Sequence, residues 1–366
     1  MDGNSYSFAA IRGMQARTAY YTVMMPLQQV HTLFAEEDDL PADLRAQRVL
    51  SKARVPQIAS YLANNWEDYI LSSLCASVDG EMSFVPAGET PALRNVGTLN
   101  ISMTARMLLN DGQHRRAAIK EALKIRPELA VETLSVVMFA DRGLERSQQM
   151  FADLNKNAVR PSGSLSVLFD HRDPLASLSS GLLEAVPFFQ SFIELEKTSL
   201  SNRQTKLYTL SSLNQANQCL GGRSADRFDD KTADIVTAYW TLVAGAIKEW
   251  RQLEAATKTC AELRRETVLA HGVMLQSLGM FGARLISARP KSWRKDVKEL
   301  SEVDWSRRNS ELWEGRVMYN RKISGQRGAV ILGANALCNR IGLALDEVGQ
   351  TAEDVYIEKR TQKEAA

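Results

Sequence analysis

Hydrophobic and polar residues follow two different periods along this chain, and the change of period divides it. In the first half, Ser7–Ile11 and Thr18–Met25 are rich in β-branched and aromatic residues and predict strands, the second closed by Pro26. Leu27–Phe34 then places Leu27, Val30, Leu33 and Phe34 on one helical face, and a second helix is predicted from Pro56, with Ile58, Tyr61 and Leu62 inward. Tyr69–Val78, Met82–Val85, Thr98–Ser102 and Met107–Leu109 read as further strands, with Asp79-Gly80 as a hairpin turn. A helix follows the Asp111-Gly112 turn and ends before Pro127. Leu134–Ala140 is a short apolar strand, and Leu144–Asn157 is helical with Met150, Phe151 and Leu154 inward.

Beyond Pro174 the strand signals fade and apolar residues recur three and four apart. Leu182–Leu195, Leu207–Leu220, Thr232–Leu253 and Val268–Ile286 each predict a helix, and Val236, Trp240, Val243, Ile247 and Trp250 form one buried stripe. Gly221-Gly222 marks a loop, Pro290 a break, and Ala329–Leu345 a further helix. The expected architecture is α+β: a domain over 1–173 with a small mixed sheet, then a mostly helical domain over 174–366.

Composition narrows the function classes. With 366 residues and 45% hydrophobic content, the chain can bury two cores, which excludes a disordered or fibrous protein. Net charge is only +2, so a globally basic coat is excluded, but residues 289–340 hold twelve Lys/Arg against six Asp/Glu. A local excess of that kind suits a polyanion, and it also suits a solvated face. Cys75, Cys219, Cys260 and Cys338 lie far apart, without metal-ligand spacing, and are expected as reduced thiols. Of the four, Cys338, beside Asn339 and Arg340, is the one whose flanking residues weakly favour a thiolate. The first residues carry no targeting pattern and no apolar run approaches the roughly 20 residues that span a bilayer, so a soluble, cytoplasmic protein is expected, with no membrane partner.

Three places carry candidate chemistry. The run Leu109–Ile119 reads as strand, sharp turn and helix, with Asp111, Gly112, Gln113, His114 and Arg115 at the corner. Free backbone N–H groups, a helix dipole and a guanidinium meet there, which suits a phosphate. The second place is Phe151–Asn157 with Pro161, where Asn155 either reaches a phosphate or ends a helix, and Lys156 and Arg160 add charge. The third is the basic segment: Arg307 and Arg308 between Trp305 and Trp313, then Arg316, Arg321, Lys322 and Arg327 among small residues. These are the candidate DNA contacts, or else a charged connection between helices. Arg45, Arg48, Lys52 and Arg54 form a second basic patch before the helix at 55–62, which carries no standard helix-turn-helix signature.

Asp111-Gly112-Gln113-His114-Arg115 matches the signature of the DGQHR-domain family, and Phe151–Asn157, Asp304–Arg308 and Trp313–Met318 are similar to further motifs of its members that regulate DNA sulfur modification (phosphorothioation). That resemblance implies a ParB/sulfiredoxin-like first domain, in which the strand–turn–helix holds nucleotide phosphates. Gln113 stands where sulfiredoxins carry their reactive Cys, and an amide cannot perform that thiol chemistry. The resemblance implies a sequence-specific repressor bound to the promoter of the modification genes, and reading paired half-sites would make it a homo-oligomer. A nucleotide, ATP or CTP, would then tune the Asp-Gly corner, or the corner would be structural. The alternative is an enzyme, a nucleoside triphosphatase or nuclease, using Arg115 as phosphate cradle with His114 and Asp111 in proton transfer. The shortage of paired acidic residues near the motif counts against it. No metal site is expected.

Overall fold

The computed structural model describes residues 5–34, 53–140, 149–150, 153–154, 161–221 and 229–364. The chain divides into two compact units, Met1–Val159 and Arg160–Ala366. The first is built on seven strands: β1 (Ser5–Gln15), β2 (Thr18–Pro26), β3 (Leu74–Asp79), β4 (Met82–Pro86), β5 (Val96–Ser102), β6 (Arg106–Asp111) and β7 (Thr133–Ala140). They form one mixed sheet in the order β4-β5-β1-β2-β7-β3-β6, in which β3 and β7 run parallel. Alternation along the strands explains its buried face: Val23 and Met25 of β2 and Leu134, Val136 and Met138 of β7 are buried, while Met24 between the first pair is exposed. Helices α1 (Leu27–Leu33), α2 (Arg54–Asn64) and α3 (Gln113–Ile125) add Val30, Leu62, Ala118, Ile119 and Ala122 to the same core.

The strand expected over Tyr69–Val78 begins only at Leu74. Before it, the Ile70 N–H donates to the Tyr61 hydroxyl and the carbonyls of Ser72 and Ser73 accept from Arg115. Backbone groups satisfied by side chains have no need of a ladder. The expected helix over Leu144–Asn157 falls largely outside the described residues.

The second unit is helical. Its elements are α4 (Gly163–Phe169), α5 (Pro174–Ala185), α6 (Pro187–Phe192), α7 (Leu210–Gly221), α8 (Asp230–Ala246), α9 (Lys248–Glu254), α10 (Cys260–Glu266), α11 (Gly272–Ala288), α12 (Trp293–Asp296), α13 (Ser310–Trp313), α14 (Arg327–Arg340) and α15 (Glu347–Glu364). Two-residue strands β8 (Ile193–Glu194) and β9 (Tyr208–Thr209) pair in parallel, and β10 (Met318–Tyr319) and β11 (Lys322–Ile323) form a hairpin. The aromatic stripe is buried throughout, with Phe188 stacked on Trp250 at 4.2 Å between centroids. It spans two helices, because Ile247 is extended (φ −75, ψ 114) and breaks the run between α8 and α9. Pro187 likewise divides the helix expected over Leu182–Leu195, holding Val186 in an extended conformation (φ −121, ψ 102). The helix expected over Ala329–Leu345 stops at Arg340, and α15, which sequence reasoning missed, starts behind Asp346, whose carboxylate accepts from the Gly349 N–H at 2.8 Å. Among the described residues, no helix is long and apolar enough to cross a membrane.

Candidate functional site

At the Asp-Gly corner, β6 delivers Asp111 and Gly112 turns the chain into α3. Gly112 has φ 108, and a Cβ on it would lie 2.2 Å from a Leu74 methyl, so both conformation and space demand glycine. Arg115 reaches back across the turn: its Nη2 donates to Asp111 Oδ2 at 2.6 Å, and its Nη1 to the Ser72 and Ser73 carbonyls at 2.7 and 2.8 Å and to Ser72 Oγ at 2.5 Å. Its side chain is only 16% exposed. The Gln113 amide donates to the Leu109 carbonyl at 3.0 Å. Arg116 points elsewhere, donating to the His31 carbonyl at 3.1 Å. His114 is half-buried, and burial, then the nearby Arg54 guanidinium, hold its pKa below the ordinary value against the opposing pull of Asp111. The shift favours the neutral ring. Asp111, Gly112, Gln113, His114 and Arg115 thus share the corner between β6 and α3. Arg115, however, closes the corner onto the start of β3, and no side chain caps the first turn of α3.

Beside the corner, the Cys75 thiol is pushed up to about 11 by burial and by Asp111. The Cys260 and Cys338 thiols are also raised by burial. For Cys338 this reverses the expectation from its neighbours: Arg284 does favour the thiolate, but burial outweighs it. All four cysteines are free. Asn155, with Lys156 and Arg160 of the second motif, lies outside the described residues, as do Arg45, Arg48 and Lys52.

The basic segment separates into two populations. Arg316 is sequestered: it makes a bidentate pair with Glu353 of α15, Nη1 to Oε2 at 2.7 Å and Nη2 to Oε1 at 2.5 Å, and its guanidinium lies over the Tyr356 ring. The two side chains are 12% and 7% exposed. Burial alone would raise the Glu353 pKa, but hydrogen bonds from Arg316 and Asn335 and the Arg316 charge bring it below the usual carboxylate range. Arg307 is half-buried with Nη2 3.0 Å from His271 Nε2. Neither guanidinium belongs to an open surface, because each has found an interior acceptor.

Arg308, Arg321, Lys322 and Arg327 are exposed, and among the described residues no carboxylate pairs with any of them. Three of these cluster at the β10–β11 hairpin. Met318 pairs with Ile323 and Tyr319 with Lys322, leaving Asn320 and Arg321 as a two-residue loop with φ 51 and 61. Two positive φ angles make this a type I′ turn, whose twist suits a hairpin. Glu314 fixes it, its Oε1 accepting from the Asn320 N–H at 2.6 Å and its Oε2 from the Arg321 N–H at 3.3 Å. At the base, buried Met318 and the Ser324 N–H bond to the Val317 carbonyl (2.9 Å) anchor the hairpin to the core. Arg327 opens α14, and Tyr319 stands 47% exposed beside the cations.

A family model for DndB, described as DNA-sulfur modification-associated, matches residues 8–344. No curated protein and no solved structure matches the chain. The matched span includes the Asp-Gly corner and the cationic hairpin, and on that coverage the chain belongs to the DndB family of DNA-sulfur modification-associated proteins.

Proposed function

We propose that this protein is a sequence-specific DNA-binding repressor of the genes for DNA phosphorothioate modification, acting in the cytoplasm as a homo-oligomer on a promoter. One observation carries the reading: Arg321, Lys322 and Arg327 project from a rigid hairpin and the helix start behind it, exposed and without carboxylate partners among the described residues. Such a ribbon tip can follow a phosphate backbone or enter a groove. Arg327 supports it further, since a cation in the first turn of α14 opposes the helix dipole, and a bound phosphate relieves that opposition. Tyr319 adds an aromatic face next to the cations. Arg308 extends the same exposed set, whereas Arg316 and Arg307 act inside the fold. A two-fold oligomer would present two such tips to paired half-sites. In this reading the Asp-Gly corner is a structural clamp, because the Arg115 donors aimed across the turn already meet Asp111, Ser72 and Ser73.

The test is a fluorescence-anisotropy titration on a duplex from upstream of the modification genes, repeated over a range of salt. Replacing Arg321 and Arg327 together by Ala is expected to weaken binding and to flatten the plot of log affinity against log salt by about one unit per lost phosphate contact. A slope identical to that of the unaltered protein would overturn the assignment of these residues.

A further inference from the structure

A second cationic cluster lies within the helical unit and has no part in the reading above. A pocket of about 210 Å³ is walled by Ser199, Thr209, Ser212, Arg264, His271 and Gly272, among others. Arg264, in the last turn of α10, is only 5% exposed; it donates to the carbonyls of Gln204 (2.8 Å) and Lys206, and no carboxylate among the described residues pairs with it. His271 precedes α11. Burial first, and Arg307 second, lower its pKa to about 4, so the ring is neutral. Its Nε2 faces Arg307 Nη2 at 3.0 Å, and it also hydrogen-bonds the Arg264 backbone. Arg307 is held there by backbone pairing, its own N–H donating to the Glu266 carbonyl while the Val268 N–H donates to the Trp305 carbonyl. The Arg307 Nε is buried with no hydrogen-bond partner among the described residues.

A buried guanidinium that pairs with no acid among the described residues is an unusual arrangement, because buried charges are ordinarily paired. The polar surroundings point to what completes it. The Thr209 hydroxyl lies 2.8 Å from that of Ser212, and the 17-residue α11 begins at Gly272 with no side-chain cap, leaving first-turn N–H groups at the same wall. The volume falls short of the roughly 300 Å³ at which sites for drug-sized ligands begin. It accommodates a tetrahedral oxyanion with a few waters of about 30 Å³ each. We propose that this pocket binds a phosphate-class oxyanion, with Arg264 supplying charge and Ser212 and the first turn of α11 supplying hydrogen bonds.

The experiment is isothermal titration calorimetry of the full-length protein with inorganic phosphate, with sodium chloride as the ionic-strength control. Saturable binding is expected, and Arg264→Gln should weaken it at least ~tenfold, the loss of a charge-assisted contact. Because a change at a buried arginine can disturb folding, Gly272→Ala provides the second variant. Its added methyl would sit 3.0 Å from Ser212 Oγ in the pocket wall, at a helix position where alanine is well tolerated, and it should weaken binding similarly with an unchanged circular dichroism spectrum. No saturable binding, or equal affinity in both folded variants, overturns the site. A parallel titration compares one oligonucleotide with and without a 5′-phosphate. A gain from the phosphate that Gly272→Ala removes identifies a strand end as the source, and no gain alongside saturable phosphate binding identifies the free ion.

Discussion

Arg115 at the Asp-Gly corner and Arg321 at the β10–β11 hairpin carry the same guanidinium, yet the fold surrounds them in opposite ways. Arg115 meets a carboxylate and two carbonyls and is 16% exposed. Arg321 stands exposed on a turn whose backbone N–H groups already engage the Glu314 carboxylate. The first arrangement holds three elements together, and the second presents charge to something outside. An arginine cluster in a sequence is therefore not yet a binding site. Its meaning depends on which acceptors the fold brings within about 3 Å.

The sharpest way to test that contrast starts with Arg316, which the sequence groups with Arg321 and the fold groups with Arg115. Replacing Arg316 by Ala leaves Glu353 buried and uncompensated, and is expected to destabilise the protein by about 3–5 kcal/mol in urea denaturation. The pH dependence should change sign with it. In the unaltered protein the Glu353 carboxyl is held below its ordinary value of 4.5. Its contribution to stability is thus full above about pH 4.5 and lost as pH falls through the lower folded value. Without Arg316, burial dominates and raises the carboxyl, so the variant's handicap should shrink on acidification. A handicap that stays constant between pH 7 and pH 4 would show that the pair is not what sets the carboxyl.

Arg115→Ala comes next. It removes the donors that Ser72, Ser73 and Asp111 accept from, but the Asp111 side chain is 44% exposed and can be rehydrated, so about 2 kcal/mol is expected. If the corner instead serves mainly to hold a ligand, the same change would leave the unfolding midpoint nearly unmoved.

Much of the frame was legible because local periods dictate it. β-Branched and aromatic content marked β1 and β2, β4 and β5 also read as strands, and the Asp111-Gly112 turn could be placed because only glycine tolerates φ 108 there. The Trp240–Trp250 stripe gave the buried face but not the break at Ile247, since a broken helix can keep its apolar side facing one core. What escaped was long-range. Nothing near Arg316 announces Glu353, which lies 37 residues away on a helix signalled only by Asp346 as a cap. His271 likewise meets its partner, Arg307, across 36 residues of sequence. The DNA-contact candidates thus separated only when their partners came into view: Arg316 and Arg307 inward, Arg321, Lys322 and Arg327 outward.

The smallest effect on stability is expected at Arg321 itself, and it should have the opposite sign. A left-handed conformation disfavours any residue with a Cβ by about 1–2 kcal/mol, and glycine recovers part of that at some entropic cost. Arg321→Gly should therefore leave the fold unchanged or more stable by up to about 1 kcal/mol, while weakening DNA binding. Conformation alone does not make the position functional, because Arg17 has the same φ of 61 in the β1–β2 turn. What sets Arg321 apart is Lys322 beside it, Arg327 behind it and the Glu314 carboxylate fixing its backbone. Arg17→Gly is thus the control: it should match Arg321→Gly in stability and leave DNA affinity unaltered. Equal losses of affinity from the two variants would mean that the protein reads only diffuse charge, and the distinction between the clamped and the presented arginines would lose its functional meaning.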